Sequence, residues 1–177
     1  MVLESVENAE TDAGILGFAM HSDGSDHQQL KLEFNENKGT EDARVVNGVN
    51  LSSGKYKVIE MNGREVYKFA TRRVPEVIEE ALQNADLKVD QIDWLLLHQA
   101  NIRIMEVVAD RLGIPIEKII TNLSDYGNTS AGSIPLALDE AVKSGKVKKG
   151  DIVACAGFGA GLSWGSAIIR WGGLGGF

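Results

Sequence analysis

Trp94-Leu95-Leu96-Leu97-His98-Gln99-Ala100-Asn101-Ile102 is the stretch that sets the frame for the chain. A tryptophan and three leucines make an apolar run of strand length, and Asn101 is a helix-capping residue ahead of Ile102 to Leu112, where apolar residues recur at helical spacing. A buried strand hands over to a helix, with a histidine at the handover. The alternation continues downstream. Ile119 to Leu123 reads as a short strand and Ile134 to Val142 as a second helix. Asp151 to Ala156 and Ser166 to Trp171 read as two strands that close as an antiparallel hairpin around Gly157 to Gly165. Strands alternating with helices predict an α/β fold whose mixed sheet is covered by helices.

Upstream, Arg64 to Ala85 carries Val66, Phe69, Ala70, Val74, Val77, Ile78, Ala81 and Leu82 at helical spacing, and Pro75 is expected to kink or divide that helix. Gly14 to Met20 reads as a short buried strand, His21 to His27 as a turn-rich segment, and Gln29 to Phe34 as a second strand. Asn35 to Gly63 mixes Asn, Lys, Gly and Ser with isolated apolar residues and reads as a long loop. The lobe boundary is placed there, with residues 1–63 before it and 64–177 after it.

The 177 residues suit one domain or two small lobes with a sizeable core. Against 25 acidic side chains stand 18 Lys and Arg, a net charge of −7 that makes nucleic acid and anionic membrane poor default partners. The single cysteine, Cys155, leaves no disulfide framework and no Cys-based zinc site. A reducing, cytoplasmic compartment fits. No apolar run approaches the length of a membrane span, and Met1 to Glu7 lacks a signal-peptide layout, so a soluble chain is expected. Of 20 glycines, 12 fall from Gly127 onward, which points the search for chemistry there.

In open α/β sheets functional groups gather where loops leave the carboxyl ends of strands. His98 sits at such an end; alone, it also suits a satisfied histidine of purely structural role. Asp125 to Ser133 is a run of small and polar residues before a helix, and alone it suits a turn with a cap. Gly157 to Gly165 matches neither a dinucleotide fingerprint nor a phosphate loop. Taken together, a neutral imidazole N–H and an asparagine amide N–H placed side by side would make a two-donor site for a developing oxyanion, and the glycine loop could offer a backbone N–H to a second.

His98-Gln-Ala-Asn101, Gly127-Asn128-Thr-Ser-Ala-Gly-Ser-Ile-Pro135 and Gly157-Phe-Gly-Ala-Gly-Leu-Ser-Trp-Gly165 resemble the motifs of the beta-ketoacyl-acyl carrier protein synthase III family, of thiolase-like fold. His21-Ser-Asp-Gly-Ser25 fits the same family, and Ile168-Ile-Arg-Trp-Gly172 is most similar to its cyanobacterial and plastid branch. The resemblance runs from about Gly14 to Trp171. It implies the C-terminal half of that fold, with the residues before about Gln29 as the last strands of an N-terminal half. It implies condensation of an acyl-CoA, usually acetyl-CoA, with malonyl-acyl carrier protein, with loss of carbon dioxide, at the start of fatty acid synthesis. No cofactor is implied beyond these thioester substrates.

By the same resemblance, His98 and Asn128 match the histidine and asparagine of a Cys-His-Asn triad, Ala160 the oxyanion-hole position, and Phe158 a neighbour lining the site. Gly63, Arg64, Tyr67, Ala100 and Asn101 match positions along the pantetheine tunnel. Lys68, Arg103 and Arg111 match basic positions that meet an acidic carrier protein, although Asp110 stands where Arg111 would have a basic neighbour. The nucleophilic cysteine has no counterpart here: Cys155 falls inside a strand, where a free cysteine behaves as a small inert hydrophobe. The chain alone is therefore expected to be inactive, its parent a homodimer, and the half fold prone to self-association through uncovered apolar surface. The expected compartment is the cytoplasm, or the plastid stroma in a plastid-bearing source. His21, Asp23, Asp26 and His27 read as polar turn residues and not as metal ligands. A non-catalytic module binding CoA or a carrier protein, and a polyketide-type condensing enzyme, stand as alternatives.

Overall fold

The computed structural model describes residues 13–36, 44–46, 49–51 and 54–172. One mixed sheet organises them. Its strands are β1 (Gly14–Ser22), β2 (Trp94–Leu97), β3 (Ile119–Ile120), β4 (Ile152–Gly159) and β5 (Ser163–Arg170), in the order β1-β5-β4-β2-β3. β2 runs parallel to β3 and β4, whereas β5 is antiparallel to both β4 and β1. The helices are α1 (Gly63–Asn84), α2 (Ile102–Leu112), the single turn α3 (Leu123–Tyr126) and α4 (Ser133–Lys143).

The two-residue period of a strand divides β2 and β4 between two cores. Leu95, Leu97, Ala154 and Ala156 face Val74, Ile78 and Ala81 of α1 and Met105 and Val108 of α2. Leu96, Val153 and Cys155 face Ala137, Leu138 and Ala141 of α4 on the other side. His98 follows Leu97 by one step, which turns it to the α4 side of the sheet. Residue parity thus decides which helix the histidine meets.

Several expectations change. β1 is present but is buried on one face only: it forms one edge of the sheet, and Phe18 and Met20 are 58% and 74% exposed while Ala19 between them is buried. It pairs antiparallel with β5, in the same sheet as the four later strands. α1 is one uninterrupted helix despite Pro75. A helix-interior proline costs roughly 3 kcal/mol, and each large side chain that α1 buries returns roughly 1.5–3 kcal/mol. Val74, Val77, Ile78 and Leu82 are all buried, so packing wins.

β3 ends at Ile120, and Leu123 opens α3. The glycine-rich segment is mostly strand: β4 runs to Gly159 and β5 starts at Ser163, leaving a turn of Ala160, Gly161 and Leu162. The turn-rich stretch after β1 contains a 3-10 helix over Gly24–Gln29. Gln29 to Phe34 is not one strand, because Leu30–Lys31 pairs with Glu60–Met61 and Phe34–Glu36 with Gly54–Tyr56. A third short ladder joins Arg44–Val46 to Val49–Leu51. The readings made for Met1 to Glu7 and for residues 37–43, 47–48, 52–53 and 173–177 lie outside the described residues. No helix among the described residues is long and apolar enough to cross a membrane.

Candidate active site

Each site segment is held by a local device. The backbone N–H of His98 donates to Ala156 O at 2.8 Å, extending the β2–β4 ladder by one bond. The Asn101 side chain accepts from Arg103 N at 2.9 Å and starts α2. Gln99 between them is fully buried, and its amide is fully used: Nε2 donates to Leu97 O at 2.7 Å and to Ile120 O at 3.3 Å. Its Oε1 accepts from Thr121 Oγ1 at 2.9 Å and Asn122 N at 3.3 Å. One side chain thus ties the tips of β2 and β3 together.

Gly127, at φ +65°, takes a backbone conformation in which a side chain is strained, and it turns the chain out of α3 into Asn128. Asn128 Oδ1 accepts from Ser130 N at 2.8 Å. With its oxygen occupied, the asparagine has its two amide N–H groups left as donors.

These segments line one cleft of about 700 Å³. His98, Ala100 and Asn101 come from the end of β2; Asn128, Ser130, Ala131, Ser133 and Ile134 from the entry to α4; Gly157, Phe158, Gly159 and Ala160 from the end of β4. Leu30, Leu32, Ile59 and Met61 form an apolar wall, completed by Gly63, Val66, Tyr67 and Ile104. The Phe158 ring meets the His98 imidazole edge to face, with centroids 5.5 Å apart. His98 Nδ1 lies 2.7 Å from Ser133 Oγ. Burial holds the His98 pKa below its ordinary value, so the imidazole is neutral near pH 7. The cleft thus presents two neutral polar side chains, His98 and Asn128, among largely apolar neighbours.

Of the residues singled out from sequence, His98, Asn128, Ala160, Phe158, Gly63, Tyr67, Ala100 and Asn101 share this cleft. Arg64 is exposed and is not part of its lining, and Arg103 is exposed on α2. Lys68 and Arg111 line a separate cavity of about 450 Å³ together with Asp26, Arg72 and Leu162, and Lys68 is paired with Glu65 at 2.7 Å. Cys155 is buried in the α4 core, with its thiol pushed up to about 12 by burial. Asp23 Oδ1 accepts from Ser25 N, His27 Nδ1 bonds Gly24 O, and His21 pairs with Glu80 at 2.6 Å. Among the described residues no three His, Cys, Asp or Glu side chains are grouped to hold a metal.

Sequence reasoning missed the roles of Ser133 and Gln99 and the wall from Leu30 to Met61. Ser133 and Gln99 stood inside the quoted motifs, and a polar residue at a helix start or strand end was the available signal. Ile59 and Met61 lie in a stretch without periodicity and had none.

Residues 82–171 match the family model described as 3-oxoacyl-[acyl-carrier-protein] synthase III C terminal. A beta-ketoacyl-[acyl-carrier-protein] synthase III of Microcystis aeruginosa is 59% identical over 163 residues, covering 92% of this chain and 48% of the relative. A chloroplastic synthase III B of Cuphea wrightii is 56% identical over 169 residues, covering 93% and 42%. The crystal structure of 3-oxoacyl-[acyl-carrier-protein] synthase III from Aquifex aeolicus superposes with a TM-score of 0.76 at 36% identity, covering 93% of this chain and 46% of that one. The priming beta-ketosynthase of the R1128 polyketide pathway superposes with a TM-score of 0.73 at 32% identity, over 93% and 47%. The chain spans about half the length of the relatives it matches.

Proposed function

The chain belongs to the 3-oxoacyl-[acyl-carrier-protein] synthase III family, and from that premise we propose that it supplies the decarboxylating half of a condensing active site. The observation that carries this reading is the placement of His98 and Asn128 on one cleft, each with one polar atom already engaged by Ser133 or Ser130. The substrate is a malonyl thioester on acyl carrier protein. Its thioester oxygen accepts from the His98 imidazole and the Asn128 amide. As the bond to the carboxylate breaks, carbon dioxide leaves and the electron pair stays on the α-carbon, delocalised onto that oxygen as an enolate. Fixed neutral donors stabilise the developing charge without giving up a proton. The enolate carbon then attacks an acyl thioester carbonyl. That carbonyl's own oxyanion is met by the backbone at Ala160, beside Phe158, and the thiolate departs.

The acyl group requires a nucleophilic thiol, and Cys155, buried with a raised pKa, is unsuited to that task. The thiol comes from polypeptide other than these 177 residues, and the chain alone neither acylates nor condenses. Gly63, Tyr67, Ala100 and Asn101 line the entry for the pantetheine arm, with Arg64 at its rim. Lys68, Arg103 and Arg111 receive the acidic carrier protein, which gives a chain of net charge −7 a local basic surface. No resident cofactor or metal takes part. The assembled enzyme is a homodimer, placed in the cytoplasm or, in a plastid-bearing source, in the plastid stroma, the chloroplastic relative supporting the second compartment. A polyketide-type primer is the second reading, favoured by the likeness to the R1128 priming ketosynthase.

The test joins this chain to the half of the Microcystis aeruginosa relative that it does not span. The fusion is expected to release carbon dioxide from malonyl-acyl carrier protein and to join the resulting enolate to the acetyl group of acetyl-CoA, with loss of the CoA thiol. His98→Ala or Asn128→Ala is expected to slow decarboxylation by roughly 10²–10³, the effect of removing one oxyanion donor, while acylation of the cysteine proceeds. Equal loss of both half-reactions would contradict the assignment.

A further inference from the structure

Ser133 is the first residue of α4 and is 1% exposed. Its hydroxyl has two hydrogen-bond partners among the described residues. The Gln99 backbone N–H donates to Oγ at 3.2 Å, and His98 Nδ1 lies 2.7 Å away. The first contact makes the oxygen an acceptor. The second is then decided by where the hydroxyl proton goes. The Gln99 side-chain oxygen is occupied by Thr121 and Asn122, so it offers that proton no place. If Nδ1 carried a hydrogen, Ser133 Oγ would accept twice and its own proton would be buried without an acceptor, a situation that buried polar groups avoid. With the hydroxyl donating to Nδ1, every group at the contact is satisfied. His98 Nε2 has no partner among the described residues and is not among their buried unpaired atoms, while the ring lines the cleft.

We infer that Ser133 is a positioning residue for His98: its hydroxyl donates to Nδ1 and holds the imidazole as the Nε2–H tautomer, with that N–H available to the cleft. The hydrogen bond selects both ring orientation and tautomer, and it does so from the residue that starts the helix packed behind the sheet. Doubly protonated His98 would leave the same hydroxyl proton without an acceptor, so the contact also opposes the charged ring. The catalytic meaning of this arrangement rests on the function proposed above; the tautomer itself does not.

The test is long-range ¹H–¹⁵N correlation spectroscopy on the labelled 177-residue chain above pH 7, with His98 assigned by its loss in His98→Gln. The expected spectrum has His98 as the Nε2–H tautomer. Ser133→Ala is expected to raise the Nδ1–H population several-fold, and Ser133→Thr, which keeps the hydroxyl, to restore the native pattern. Ser133→Val has the shape of the threonine variant without the hydroxyl and is expected to behave as the alanine does. A native spectrum dominated by Nδ1–H, or a tautomer unchanged in both the alanine and valine variants, would overturn the inference. Should the alanine variant fail to fold, the native spectrum and the threonine and valine pair still decide it. An inactive fusion with the expected spectrum would count against the proposed function alone, and an active fusion with the opposite tautomer against this inference alone.

Discussion

Gly17 of β1 and Ala81 of α1 meet backbone to backbone: a Cβ on Gly17 would stand 2.6 Å from the Ala81 carbonyl oxygen and as close to the amide nitrogen of Ala85. At Gly17, therefore, α1 approaches the edge strand too closely for any side chain on the strand to fit. Gly17→Val must lift α1 or shift β1, and overpacking of this kind costs about 1–3 kcal/mol. Urea unfolding is expected to show a lower midpoint with the slope unchanged. A midpoint equal to that of the native chain would show that the helix has room to move.

Gln99 gives a second prediction, because its amide serves four partners in a fully buried place. Gln99→Leu keeps the bulk and leaves the buried Asn122 N–H without its acceptor, whereas the exposed Thr121 hydroxyl can turn to water. Each buried polar group left unpaired costs about 1–3 kcal/mol. Thermal unfolding should fall clearly, and hydrogen exchange at Thr121 and Asn122 should accelerate more than exchange in α1. Uniform acceleration would assign the loss to global stability instead of the strand tips.

The buried His98 carries a pH dependence of defined sign. Its folded pKa lies below the ordinary 6.5 because burial penalises the cation, so below 6.5 the unfolded chain binds more protons than the folded one. Stability contributed at this site is complete above 6.5 and is lost as pH falls below it. The difference in unfolding free energy between the native chain and His98→Gln should shrink as pH drops from about 7 to about 5. A difference that grows toward acid would mean that the folded imidazole is stabilised as a cation.

Cys155 is expected to be chemically silent. Its thiol is raised to about 12 and faces the α4 core. Folded protein at pH 8 should react with a thiol reagent at least about 10³-fold more slowly than protein in denaturant, since reaction waits on opening. Incubation with acetyl-CoA should leave it unmodified. Rapid acetylation there would place a nucleophile within the chain and undo the division of labour proposed for the site.

The legible part of the fold was the part with strong local signals. β2 and α2 were readable to the residue, since an apolar run ends at Leu97 and Asn101 caps the helix that starts at Ile102. The β4–β5 segment was not, because glycine suits both a loop and a strand that other backbones approach closely. The exposure of Phe18 and Met20 was hidden for another reason: hydrophobic sequence marks a strand without saying which strand stands at the edge. Pro75 misled because helix propensity is a local quantity and the burial of Val74, Val77 and Ile78 is tertiary. At the site, His98, Asn128 and Phe158 were legible as chemistry and lie on one cleft. The tie from Ser133 to His98 links residues 35 apart, and nothing local to either announces it.

The bond from His98 N to Ala156 O makes the parallel ladder a ruler for the site. A slip of one residue along β2 would turn the histidine to the α1 side, and a slip of two would move it by nearly 7 Å on the same face. Length changes between Trp94 and His98 would therefore displace the histidine, and the entry to Trp94 is fixed as well, with Ile92 fully buried and Asp93 N donating to Ile152 O at 3.0 Å. Grafts and circular permutations keep the site only where they preserve this register together with the segments that carry Asn128, Ser133 and Ala160.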